Sequence, residues 1–242
     1  MADKTILITG ATQGIGKSIS NELLKHGTKL ILTGNNKDKI NKLISNNQNP
    51  RIEWIQANFS TEKNIFNFIE RIKNKKIDIC INNAGINIIK PIERYSKKDY
   101  DSILNTNLKA PTYIIKEILP YMKKNKFGRI VNILSIWSII SKVNRSLYSM
   151  TKAGLSGYTR TAALEGAEFN IIVNSVSPGF TLTELTKKSL TKTEINTLSK
   201  EIPLKRFANT NEISKVVDFL ASDQNTYITG QNIIIDGGYS II

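Results

Sequence analysis

The sequence predicts a single α/β domain: a doubly wound parallel sheet of about seven strands, flanked by helices on both faces. Three observations predict it. Short apolar, β-branched runs alternate with longer amphipathic stretches along all 242 residues. The first run leads directly into a glycine-rich turn and a helix. The polar clusters that interrupt the pattern each follow an apolar run, where a parallel sheet presents its ligand edge.

Residues 5–9 read as a buried strand. Gly10, Ala11, Thr12, Gln13, Gly14, Ile15 and Gly16 follow, and residues 17–25 carry helical periodicity. Strand, glycine turn and helix together make the setting of a phosphate-binding turn. Glycines let the backbone approach a pyrophosphate, and the helix N-terminus supplies free N–H groups and a favourable dipole. The spacing is G-x-x-x-G-x-G rather than G-x-G-x-x-G. Residues 29–33 form a second strand. An acid just beyond it would bind the adenosine ribose of NAD. Gly34, Asn35 and Asn36 stand there instead, and the nearby Lys37 and Lys39 tilt the choice toward NADP.

Residues 38–45 read as a helix ended by a turn cluster at 46–50, and residues 51–56 as the third strand. Asn58 follows that strand, and a helix over 61–73 is capped near Ser60 or Thr61. Residues 77–81 form the fourth strand and lead into Asn82, Asn83, Ala84 and Gly85. Small residues there permit close backbone approach, and their amides can bond both sheet and cofactor. A helical pattern over 97–120 is interrupted at Asn105, Thr106 and Asn107. A polar Asn in the middle of an apolar helix needs a partner.

Residues 129–135 form the fifth strand and emerge at Ser135. Residues 146–165 form a long helix, on which Tyr148 and Lys152 project from one face a turn apart. A nearby ammonium favours a phenolate and draws the tyrosine toward working pH, so the pair suits proton transfer. Residues 171–176 form the sixth strand, followed by Pro178 and Gly179. Residues 181–207 are polar, lysine-rich and weakly periodic, and read as an insert over a site with two short helices. A helix over 211–222 and a closing strand over 228–235 complete the pattern. No internal repeat or second domain is expected.

The formal net charge is +14. The lysines are scattered over helix faces and loops, and no aromatic-interleaved basic stripe appears, so a nucleic-acid partner is not expected. No apolar run is long enough to span a bilayer, and no leader pattern precedes the first strand. Cys80 is the only cysteine and lies in an apolar run, which excludes an intrachain disulfide and fits a reducing cytoplasm. His26 is the only histidine and sits at a helix end. No metal site and no His-based triad are expected.

Thr9 to Gly16, Asn82-Asn83-Ala84-Gly85, Asn107, Ser135, Tyr148 to Lys152 and Pro178-Gly179 occur in one order. With them, the chain resembles the classical short-chain dehydrogenase/reductase family over essentially its full length. The resemblance implies a Rossmann-like fold and hydride transfer between NADP or NAD and a carbonyl or secondary alcohol. It implies Tyr148 as catalytic acid/base and Ser135 as the group that holds the substrate oxygen. Lys152 would bond the nicotinamide ribose and lower the Tyr148 pKa, and Asn107 would anchor a proton-relay water beside Lys152. Cofactor contacts are implied for Gly10, Thr12, Gln13, Gly14, Ile15, Gly16, Asn35, Asn58, Asn83, Ala84, Gly85, Tyr148, Lys152, Pro178, Gly179, Thr181 and Thr183, the last on the carboxamide. Asn58 stands where the family usually has Asp, and Gln13 and Asn35 where NADP-preferring members are often basic.

Three functions follow as expectations. The first is an NAD(P)-dependent oxidoreductase of a small polar or sugar-type substrate, with Trp137 either stacked on a sugar ring or packed in the core. The second is a 3-oxoacyl-carrier-protein reductase, with Arg129 and neighbouring lysines as a docking patch for an acidic carrier. The third is a non-catalytic binder or regulator of the same fold. The family resemblance also implies a homo-oligomer, tetramer or dimer, in keeping with the apolar end Ile241-Ile242.

Overall fold

The computed structural model describes residues 1–46 and 48–242, so the turn cluster expected over 46–50 includes one position, Asn47, outside the described residues. The first half of the chain runs β1 (Thr5–Ile8), α1 (Gly14–Leu24), β2 (Lys29–Gly34), α2 (Lys37–Asn46), β3 (Ile52–Gln56), α3 (Glu62–Ile72), β4 (Ile79–Asn82), α4 (Lys97–Leu104) and α5 (Ala110–Asn125). The second half runs β5 (Gly128–Ile133), α6 (Ser146–Gly166), β6 (Ile171–Pro178), β7 (Thr181–Leu182), α7 (Glu184–Ser189), α8 (Lys192–Glu201), β8 (Ala208–Asn209), α9 (Thr210–Ala221) and β9 (Asn232–Ile235).

Among the described residues, seven strands form one sheet in the order β3-β2-β1-β4-β5-β6-β9, every neighbouring pair parallel. The order reverses between β1 and β4. A crevice at such a switch point is where an open parallel sheet takes its ligand. β7 and β8 form a separate short pair that closes the base of the segment between them.

Alternation along the strands decides the two layers. In β1, Leu7 enters one core with Ile65, Phe68, Ile114, Ile115 and Ile118 from α3 and α5. Ile6 and Ile8 enter the other with Ile19, Leu23, Ile213 and Val217 from α1 and α9. Burial on both faces is why the strands read as unbroken apolar runs. Each such side chain contributes about 1.5–3 kcal/mol relative to remaining exposed.

Several boundaries differ from those expected, each for a local reason. α1 starts at Gly14 because the glycine turn itself supplies its first turn. β9 starts only at Asn232. Residue Ile228 is held instead by the side chains of Asn174 (2.6 Å) and Asn225 (3.0 and 2.9 Å), and Gly230 turns the chain at φ +73°. The break expected in the helix over 97–120 is a π-helical turn, Asn105–Lys109, between α4 and α5. Among the described residues, no helix is long and apolar enough to cross a membrane.

Candidate active site

The glycine turn is fixed from below by two side chains. Thr9 Oγ1 accepts the N–H groups of Asn83 (3.0 Å) and Ala84 (2.9 Å). Asn83 Nδ2 donates to the carbonyls of Thr9 (2.9 Å) and Gly10 (3.0 Å). The Gly10 amide donates to Thr33 Oγ1 at 3.1 Å, with Gly10 at φ +68°. A Cβ on Gly16 would collide with the Gly10 carbonyl and the Asn83 amide, so only glycine fits. The Asn83 and Ala84 N–H groups and both Asn83 amide protons are spent on β1 and its turn.

The N-terminus of α1 is open. Its N-cap, Gln13, makes no capping bond, and the first turn holds no acid. The first-turn N–H groups are therefore available to an anion at the crevice. That open end, beside a turn kept free of side chains, fits the pyrophosphate of a dinucleotide.

The ribose end departs from an NAD-type arrangement for a steric reason. Thr12 Cγ2 occupies the space a Cβ on Gly34 would need, so an acid at that position would require Thr12 to move. Asn35 is exposed and gives its carbonyl to Gln56 Nε2 at 3.3 Å. Gln13 Oε1 accepts from Lys39 Nζ at 2.6 Å, and Lys39 lies 3.6 Å from Glu184 on α7. Asn58 is exposed, and its Oδ1 accepts the Ser60 amide at 3.0 Å within its own turn.

The catalytic candidates meet where β5 and α6 converge. Ser135 caps a short 3₁₀ turn, and its Oγ accepts the Trp137 amide at 3.3 Å. Tyr148 and Lys152 rise from the first turns of α6. Lys152 is 3% exposed, donates to the Ile133 carbonyl at 2.7 Å and lies 5.7 Å from the Tyr148 ring centroid. Burial lowers its pKa to about 8. Tyr148 keeps some exposed surface, yet desolvation of its phenol raises its pKa, opposed by the Ser135 hydroxyl and then by the Arg145 charge. In this structure the influences that lower the Tyr148 pKa come from Ser135 and Arg145, while the Lys152 ammonium donates to Ile133.

Asn107 lies in the π turn and is 1% exposed. Its Oδ1 accepts the Ile86 amide (2.8 Å), and its Nδ2 donates to the Ile86 carbonyl (2.8 Å) and Thr151 Oγ1 (3.3 Å). Both amide protons are therefore used, which answers how this polar side chain is tolerated in the helix. They cannot also hold a water.

On the far wall, a Cβ on Gly179 would strike Asp236, so β6 and the start of the C-terminal turn touch closely. Thr181 Oγ1 donates to the Gly179 carbonyl at 3.1 Å. Thr183 caps α7 by accepting the Thr186 amide at 3.1 Å, and its methyl faces the position of Gly14. A cavity of about 230 Å³ opens between α1 and α7, lined by Gly14, Lys17, Leu182, Thr183, Glu184 and Thr210.

One expectation fails and one alternative is resolved. Arg129 is 4% exposed and donates to the carbonyls of Gly128 (2.9 Å) and Asn170 (3.1 Å), at the opposite end of β5 from Ser135. Arg129 is therefore no part of a docking patch, while the neighbouring Lys124 and Lys126 are exposed. Trp137 is 8% exposed and packs edge-on against Phe180 (6.2 Å) and Tyr239 (6.3 Å), so core packing decides its role over sugar stacking. Sequence reasoning also missed residues. Thr9 and Thr33 end adjacent strands with hydroxyls that organise the glycine turn, and a β-branched hydroxyl at the end of an apolar run is the signal that was there to read. Arg145, three positions before Tyr148, was the other.

Comparisons place these features among known proteins. A family model described as Enoyl-(Acyl carrier protein) reductase matches residues 10–240. The 3-oxoacyl-[acyl-carrier-protein] reductase FabG of Thermotoga maritima is 36% identical over 242 residues, covering 98% of this chain and 98% of that protein. Among solved structures, ElxO with NADP bound is similar at a TM-score of 0.90 and 31% identity, covering 99% of this chain and 100% of that one. 4-Hydroxyisoleucine dehydrogenase complexed with NADH is similar at a TM-score of 0.92 and 30% identity, with coverage of 99% and 100%.

Proposed function

Because the chain belongs to the short-chain dehydrogenase/reductase family and is an NAD(P)-dependent oxidoreductase acting on CH–OH and C=O groups, we propose that it interconverts a small polar carbonyl compound and its secondary alcohol at Ser135, Tyr148 and Lys152. The observation that carries this reading is the convergence of those three side chains, with the Ser135 hydroxyl acting on the Tyr148 phenol. A non-catalytic binder would have no use for a phenol and a buried ammonium held together in this way.

When bound, the nicotinamide supplies or takes up hydride at the carbonyl carbon. Tyr148, kept protonated by burial, donates its phenolic proton to the substrate oxygen as negative charge grows there. Ser135 donates a second hydrogen bond to the same oxygen and shares that charge. Lys152 gives one proton to Ile133 and keeps others for the nicotinamide ribose. With a pKa near 8, it also hands a proton on readily at neutral pH. Asn107 holds Ile86 and Thr151 in place around this cluster, where the reading puts the relay water. Oxidation of the alcohol runs through the same groups in reverse.

In this reading the dinucleotide lies along Gly10, Thr12, Gln13, Gly14, Ile15 and Gly16. It passes Asn35, Asn58, Asn83, Ala84 and Gly85, and ends at Pro178, Gly179, Thr181 and Thr183. The Lys39 ammonium, held beside the glycine turn by Gln13, favours NADP, since it can exchange its exposed partners for a 2′-phosphate. Residues 181–207 cover the substrate, supported by the approach of Thr183 to Gly14 and of Lys39 to Glu184. The reading includes a cytoplasmic homo-oligomer, tetramer or dimer, supported by the single buried cysteine and the exposed Ile241 and Ile242.

A second reading, reduction of a 3-oxoacyl group on an acyl carrier protein, is supported by the printed activity of the Thermotoga maritima relative. The buried state of Arg129 withdraws that residue from the carrier-docking patch and leaves it to the exposed Lys124 and Lys126. Consumption of NADH and NADPH should be followed over keto acids, keto sugars and acetoacetyl thioesters. Turnover of a small keto substrate is expected. Turnover of thioesters alone would favour the second reading, and silence of every carbonyl despite cofactor binding would overturn both.

A further inference from the structure

Arg145 differs from the buried Arg129 and Lys152, whose N–H groups are taken by backbone carbonyls, in that its guanidinium makes no hydrogen bond among the described residues. It is half-buried at the start of α6, three positions before Tyr148. Among the described residues it forms no ion pair. The ionisable groups that bear on its guanidinium are the phenols of Tyr148 and Tyr95, with no carboxylate. Burial pushes its pKa down, so the charge stands where solvent no longer supports it. The comparable Arg206 is satisfied by both oxygens of Glu212, each at 2.8 Å. Asp99, on the neighbouring wall, is already taken by Lys90 at 2.7 Å.

The backbone around Arg145 is also prearranged. Asn144 sits at φ +67°, an uncommon conformation for a residue with a Cβ. Its carbonyl accepts from the Tyr95 hydroxyl (3.2 Å) and the Lys90 amide (3.3 Å), which ties this loop to the one after β4. The guanidinium carbon lies 5.9 Å from the Trp137 ring centroid, over a side chain that is itself packed in place. A desolvated cation without a counter-ion, held by a strained turn beside the catalytic phenol, is arranged for a ligand's charge.

Resting on the oxidoreductase reading above, we propose that Arg145 is a specificity-determining residue that anchors an anionic group of the substrate, a carboxylate or a phosphate, within a few bonds of the carbonyl that Tyr148 protonates. A guanidinium presents a planar fork that matches either anion with two parallel hydrogen bonds. The substrate is then a keto or hydroxy acid, or a phosphorylated ketone, rather than a neutral sugar.

The test compares matched pairs in the wild type, Arg145→Gln and Arg145→Lys. Acetoacetate against acetoacetamide forms the carboxylate arm, and dihydroxyacetone phosphate against dihydroxyacetone the phosphate arm. The quantity read is the ratio of kcat/KM for the charged and neutral members, which cancels any effect of Arg145 on Tyr148. In one arm the wild-type ratio should be high. It should fall about 100-fold in Arg145→Gln and about 10-fold in Arg145→Lys, with the loss in KM. Malonate or inorganic phosphate should raise the melting temperature of the cofactor-saturated wild type and not of Arg145→Gln. Equal use of both members of each pair, or a ratio unmoved by Arg145→Gln, overturns the anchor while leaving the oxidoreductase reading intact. If no carbonyl turns over at all, that reading fails instead. The melting shift then decides the anchor: an anion shift lost in Arg145→Gln supports it, and no such difference overturns it.

Discussion

Thr12 and Gly34 occupy one another's space: the Thr12 methyl fills the place where any side chain at position 34 would begin. The acid that would bind the ribose of NAD is therefore shut out by a residue of the glycine turn. Gly34→Asp alone should lower the melting temperature and weaken binding of both dinucleotides. Thr12→Ser removes the methyl, so the double variant should recover stability and gain affinity for NADH over NADPH. Titration calorimetry with both dinucleotides checks this, and an NADH gain in the single variant would contradict the steric account.

Tyr148→Phe removes the acid and leaves the ring. General acid–base groups supply about 10²–10⁴-fold in rate. Turnover should fall by about that factor, with dinucleotide affinity unchanged in the same titration. Near-wild-type kcat would remove Tyr148 from the mechanism.

Burial holds the Lys152 pKa at about 8, against 10.5 for an exposed lysine. Between those two values the unfolded chain binds the proton that the folded chain has already lost. The stability contribution of this group therefore rises with pH across the window, and its penalty is full below about pH 8. Comparison with Lys152→Met cancels other groups such as Cys80, whose thiol pKa burial pushes up and whose contribution runs the opposite way. The unfolding free energy of the cofactor-free wild type relative to that variant should climb by on the order of 3 kcal/mol across the window. A flat difference between pH 8 and 10.5 in denaturant titrations would contradict a depressed pKa.

Asn107→Leu strands the amide and carbonyl of Ile86. Each stranded buried group costs about 1–3 kcal/mol. Denaturant unfolding should register a loss of about 3 kcal/mol, and kcat should fall because the π turn no longer holds its place beside Thr151. A variant as stable as wild type would mean that Ile86 finds water instead.

The fold was legible because its rules are local: alternation, glycine turns and helix periods are written in neighbouring residues. Tyr148, Lys152, Ser135 and Asn107 were legible for the same reason, each falling at a strand end or breaking a helix pattern. What escaped depends on distance in the chain. That Arg129 is buried follows from its carbonyl partners at Gly128 and Asn170, and nothing in its own segment says so. That Gly34 excludes an acid follows from Thr12, which lies far from it in sequence. The solitude of Arg145 is a property of everything around it and cannot be read from its neighbours.

Asn83 makes three hydrogen bonds to Thr9 and Gly10, so the floor of the crevice cannot yield without breaking the sheet edge. The roof has no such stitching at its tip, where the exposed Lys39–Glu184 pair at 3.6 Å is worth at most about 1 kcal/mol. Residence time on this protein is therefore set from one side. Glu184→Gln should speed dinucleotide dissociation in stopped-flow measurements while leaving the association rate steady. The amides of Gly10, Asn83 and Ala84, bonded to Thr33 and Thr9, should exchange with deuterium far more slowly than those of α7 and α8. The crevice then works as a fixed bench under a movable clamp, and turnover inherits the clamp's tempo.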